Sequence, residues 1–83
     1  MDNTIGYVIR TPKGYIRRIL PGGKTKVILC TGTLIEAQLW TSEEEVKAVG
    51  AEVMRKRDQI KAVYRDNGVL KTGGTVLIDR KGA

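Results

Sequence analysis

The chain is 83 residues long with a formal net charge of +6, one cysteine and no histidine. A chain of that length accommodates one domain, residues 1–83, around a small core. The lack of histidine excludes histidine-dependent triads and imidazole general bases and argues against most catalytic zinc sites, while a lone thiol excludes an internal disulfide.

Charge is distributed unevenly. Residues 1–31 sum to +5, residues 32–54 to −4 and residues 55–83 to +5. Two basic segments therefore flank an acidic one, a layout that favours an anionic partner. The chain has no apolar run of eighteen residues, so no membrane partner is expected. The first ten residues, MDNTIGYVIR, lack the charged start and apolar block of a signal peptide. With the single cysteine, this leads to an expectation of a cytoplasmic protein.

In chain order, residues 4–10, 15–20 and 25–30 are rich in β-branched and aromatic side chains and read as three short strands. TPKG (11–14) and PGGK (21–24) separate them as turns. The result is a three-stranded antiparallel meander. With four-residue turns, Ile9 faces Ile16 and Leu29, while Tyr7 faces Arg18 and Val27. Ile5, Tyr7, Ile9, Ile16, Leu20, Val27 and Leu29 then share the face that a helix covers, with Arg18 as a misfit snorkelling at the edge. The other face carries Val8, Arg10, Tyr15, Arg17, Ile19, Lys26, Ile28 and Cys30. Its mixture of basic, aromatic and aliphatic groups reads either as a contact surface or as a face partly covered by a second layer, such as the C-terminal hairpin.

Residues 34–40, LIEAQLW, follow as a helical turn or short helix, with Trp40 plugging a corner of the core. Residues 42–60 form the long helix. Ser42 and Glu45 make a capping box, and Glu43–Glu45 complement the positive end of the helix dipole. Glu43–Lys47 and Glu52–Lys56 are i,i+4 pairs. Val46, Val49, Val53 and Ile60 form an apolar stripe, with Gly50 marking a close approach. Residues 61–65 then make a strand, Asn67–Gly68 a type I′ turn, residues 69–71 the return strand and residues 75–79 a further extended segment before a frayed tail. The fold class is therefore α+β: a three-stranded meander, one short and one long helix, and a C-terminal β-hairpin.

The chemical motifs fail their tests. Gly22–Gly23–Lys24–Thr25 resembles the end of a phosphate-binding loop, but Arg18 stands where glycine is required and a strand follows instead of a helix. Lys71–Thr72–Gly73 has no serine–lysine companion, and Lys13–Gly14–Tyr15 lacks the continuation of an RNA-recognition signature. Cys30 has no activating neighbour in the sequence. No catalytic residue, metal ligand or cofactor is expected, and the chain reads as a non-enzymatic binding protein.

What remains is a basic cluster with one stacking-capable ring: Arg10, Lys13, Tyr15, Arg17, Lys24 and Lys26, all on or beside one sheet. It reads either as a surface able to grip phosphates and stack a base or as a solvated charged face. Arg55, Lys56, Arg57 and Lys61 form a second cluster at the helix end, where complementation of the helix dipole accounts for them.

Four pieces of the chain, GYVI (6–9), GYI (14–16), LIEAQLW (34–40) and SEEEV (42–46), give the first two-thirds a layout that resembles small accessory proteins of phages and prophages. That resemblance implies action by binding: inhibition of a host enzyme or of a defence system such as a CRISPR effector, or capture of a signalling nucleotide, in the host cytoplasm. The expected partner is a protein or ribonucleoprotein with an acidic surface, met through the basic sheet face. The alternative is a nucleic acid or nucleotide bound by the same face. Pairing of that face with a second copy of the chain is a further expectation.

Overall fold

The structure, a computed structural model, describes residues 4–77. Runs of branched and aromatic residues form five strands: β1 (Thr4–Thr11), β2 (Gly14–Leu20), β3 (Val27–Thr31), β4 (Gln59–Asp66) and β5 (Val69–Val76). They make one antiparallel sheet in the order β3–β2–β1–β4–β5. The α+β class is as expected, but the meander does not stand alone. The C-terminal hairpin extends it edge to edge, because β4 pairs with β1 through Val8↔Lys61 and Ile9↔Ile60. The apolar character of β1 explains this. Val8 and Ile9 are consecutive and both buried, so the strand is covered on both faces and flanked on both edges.

The α-helix α1 (Glu43–Val53) begins where the capping signature places it, with the Ser42 hydroxyl accepting the Glu45 backbone N–H at 3.4 Å. Glu43 and Lys47 pair at 3.7 Å. The expected continuation to residue 60 does not occur. Met54 is extended, its N–H donating to the Gly50 carbonyl, and β4 starts at Gln59. Ile60 explains the early stop: it is fully buried beside Ile9 as a strand residue, and that burial outweighs the helix propensity of residues 54–58. The short helix is likewise smaller than expected, one 3₁₀ turn at Leu34–Glu36.

Register is where the structure departs most from the alternation pattern. Strict period two would place Arg18 beside Ile16 on the helix side, burying a guanidinium. Instead β2 shifts register between Ile16 and Arg18: Ile16 faces Cys30, Arg18 faces Leu29 and Ile19 faces Ile28. This bulge puts both Ile16 and Ile19 on the helix side. Every residue of β3 changes face in consequence. Ile19 and Ile28 pack against the core, whereas Val27 and Leu29 are exposed on the other side, opposite to the expected assignment.

The core beneath α1 joins Ile9, Ile16, Trp40, Val46, Val53 and Ile60. The second layer is present, but residues 34–39 supply it in place of the hairpin. β1 and β2 pair only next to their turn, at Arg10↔Tyr15 and Thr11↔Gly14. Beyond it residues 38–40 run between them: Gln38 N–H donates to the Ile16 carbonyl, and Trp40 and Tyr7 exchange backbone hydrogen bonds of 2.7 and 2.8 Å. The 3₁₀ turn packs on β5, and Leu39 closes over Gly6, where a Cβ would lie 2.7 Å from the Leu39 Cγ. Val8 and Val63 are buried on this side.

At the hairpin tip, Asn67 and Gly68 have φ of 52° and 80°, the two positive values that a type I′ turn requires. The strand break expected at 72–74 is only a register shift within a continuous β5. Of the segment expected at 75–79, residues 78 and 79 lie outside the described residues, as does the tail.

Candidate functional site

The inward side of β3 and the end of α1 form the two walls of a groove. Alternation along the strand turns Lys26, Ile28 and Cys30 toward the helix, and the β1–β2 turn closes one end. The resulting groove of about 410 Å³ is lined by Thr11, Pro12, Lys13, Lys26, Ile28, Cys30, Val53 and residues 55–58. Its floor is apolar (Ile28, Cys30, Val53). Its rim carries five cations, Lys13, Lys26, Arg55, Lys56 and Arg57, against one carboxylate, Asp58.

Local chemistry holds the cations in place. Thr11 Oγ1 donates to the Gly14 carbonyl at 2.9 Å and accepts the Lys13 N–H at 3.0 Å, which fixes the Pro12–Lys13 loop. Cys30 Sγ lies 3.7 Å from the same hydroxyl. Asp58 ties the other wall: its Oδ2 accepts the Arg55 N–H at 2.9 Å, and its own N–H donates to the Arg55 carbonyl at 3.1 Å. This turn leaves Arg55, Lys56 and Arg57 exposed. They lie beyond the end of the helix, none of them in its last turn. Complementation of the helix dipole, which falls off within that turn, therefore no longer accounts for them.

Lys26 Nζ donates to Glu52 Oε2 at 2.5 Å, so Glu52 pairs across to β3 and not with Lys56. This hydrogen bond, reinforced by the lysine's charge, holds the Glu52 carboxyl below its ordinary range; the small desolvation opposes it. Lys26 is thereby partly neutralised, whereas Lys13, Arg55, Lys56 and Arg57 form no ion pair among the described residues.

The structure divides the residues expected on one sheet face. Lys13 and Lys26 join Arg55, Lys56 and Arg57 in the groove, merging parts of the two clusters. Arg10 and Tyr15 face each other across β1 and β2, on the side opposite Ile9 and Ile16. Arg17 sits at the bulge and Lys24 in the β2–β3 turn, both exposed and outside the groove. Lys61 leaves the second cluster altogether, donating to Thr75 Oγ1 at 2.6 Å from the side of β4 opposite Ile60. The sequence pattern alone does not mark the floor residues Ile28, Cys30 and Val53 as site residues. The three-residue spacing of Ile16 and Ile19 was the available signal, because it requires the bulge that turns Ile28 and Cys30 inward.

Among the described residues, no three His, Cys, Asp or Glu side chains converge as metal ligands would, and no helix is long and apolar enough to cross a membrane. Comparison with protein-family models, curated proteins and solved structures found no match.

Proposed function

We propose that the protein is a non-enzymatic binding module that holds an anionic macromolecular partner in the groove between β3 and the end of α1. The observation that carries this reading is the convergence of Lys13, Lys26, Arg55, Lys56 and Arg57, from two distant parts of the chain, around one apolar floor. Cations merely solvating a surface would not need to share a concavity; cations recognising a chain of negative charges would.

The resemblance to phage accessory proteins supplies the biological setting: a small protein that inhibits a host or defence component by occupying its anionic surface. A protein target would present acidic side chains to the rim, and a ribonucleoprotein would present its phosphates. The test is a pull-down from bacterial lysate with the tagged chain and with a Lys13→Glu/Arg57→Glu variant, followed by mass spectrometry and nucleic-acid staining. Material retained by the first and lost by the second supports the groove. Equal capture by a folded variant overturns it.

A further inference from the structure

Resting on that reading, we infer that the groove is a single-stranded nucleic acid site, with phosphates on its cationic rim and bases over its apolar floor. The division of chemistry across the groove carries this. Lys26 stands at one end of a row continued by the apolar Ile28 and Cys30, Val53 faces them, and Lys13 and Arg55–Arg57 line the rim, so a cationic border runs beside an apolar floor. A nucleotide has the same division, a charged phosphate beside a flat and weakly polar base. An acidic homopolymer has charge for the rim and nothing for the floor.

Dimensions agree. From Lys26 to Cys30 the row spans four residues, about 13 Å at a rise of ~3.3 Å each. Five stacked nucleotides, four steps at ~3.4 Å each, cover the same length. The volume of about 410 Å³ lies within the range of pockets that enclose a small organic ligand. A duplex, with its bases turned inward, could touch the rim and would leave the floor uncovered. With Lys26 shared with Glu52, four cations remain for phosphates, which sets a logarithmic salt slope of about −3.

The experiment is fluorescence anisotropy with labelled hexamers of oligo-U and oligo-dT, a duplex of equal charge, and polyglutamate of equal charge, between 50 and 200 mM salt. Two double variants remove equal charge: Lys13→Gln/Arg57→Gln in the groove and Arg17→Gln/Lys24→Gln outside it, each checked for an unchanged thermal melt. Expected are saturable hexamer binding with the stated slope, at least tenfold weaker binding of duplex and polyglutamate, and a slope halved only by the groove variant. Preference between the two hexamers assigns the source, RNA or DNA. Polyglutamate or duplex binding as tight as the hexamers overturns the inference and leaves the anionic-partner reading standing. Equal loss in both variants overturns the groove as the site, and absence of binding to every polyanion overturns both.

Discussion

At the scale of single residues, stability concentrates in a few fully buried branched side chains. Ile9 and Ile60 face each other across β1 and β4 with no exposed surface. Truncating either to alanine removes three carbons from a site enclosed on all sides, and the expected cost is about 2–5 kcal/mol. Urea unfolding followed by Trp40 fluorescence measures it directly, since Trp40 is the only tryptophan and is buried in the same cluster. Gly6 is the complementary case. A Cβ there would lie 2.7 Å from both the Leu39 Cγ and the Trp40 carbonyl oxygen. Gly6→Ala is therefore expected to destabilise by roughly 1–3 kcal/mol through overpacking, and Leu39→Ala is expected to relieve part of it in the double variant. Glu52 makes a pH prediction. Its carboxyl titrates below the ordinary value in the folded state because Lys26 hydrogen-bonds it. The stabilisation is thus present above the unfolded pKa and lost as pH falls through the folded one. In Lys26→Gln the Glu52 carboxyl should titrate closer to its ordinary value, as NMR would show. The stability difference from the wild type should be present at neutral pH and vanish under acid.

At the scale of elements, the bulge in β2 and the turn after α1 decide what the site contains. Because the bulge turns Ile28 toward the core, Ile28→Asp places a carboxylate there and is expected to cost several kcal/mol. Leu29→Asp, on the exposed side, stays within about 1 kcal/mol. Denaturant midpoints of the two variants in parallel separate the possibilities, and the strict-alternation assignment expects the reverse order. Within the turn, Asp58 has two roles that substitution can separate. Asn at that position keeps an oxygen to accept the Arg55 N–H and removes the only carboxylate lining the groove. Asp58→Asn is therefore expected to leave the thermal melt near that of the wild type while tightening polyanion binding severalfold at low salt. Ser42→Ala, which removes the N-cap, should cost about 1 kcal/mol without changing binding.

At the scale of the whole molecule, two surfaces of different character result. The side under α1 is sealed by the helix and continues outward as the cationic groove. The other side is covered over Val8 and Val63 by residues 34–39, and leaves Val27 and Leu29 exposed on β3. Because β1 has neighbours on both edges and cover on both faces, it is the centre of the structure. Loss of the β4 pairing should therefore unfold the molecule as one unit. Hydrogen exchange tests this: the amides in the β1–β4 ladder should exchange only by global opening, and those of β3, an edge strand, should exchange faster.

Much of this was legible from local chemistry. Helix initiation at Ser42 and the Asn67–Gly68 turn each depend on groups within a few residues of one another, so the chain alone determines them. The α+β class and the burial of Trp40 follow from residue types and patterning along the whole chain. The division of charge into two basic segments around an acidic one is likewise a property of the sequence. Tertiary structure decided the rest. Whether Ile60 closes a helix or opens a strand depends on the space beside Ile9, fifty-one positions away, and that choice stopped α1 at Val53 and released Arg55–Arg57 from the helix. The bulge at Arg17 turned Lys26, Ile28 and Cys30 inward, because burying two isoleucines three residues apart outweighs regular pairing. Those two events, each decided by packing against residues distant in the chain, bring the two basic segments together in one groove.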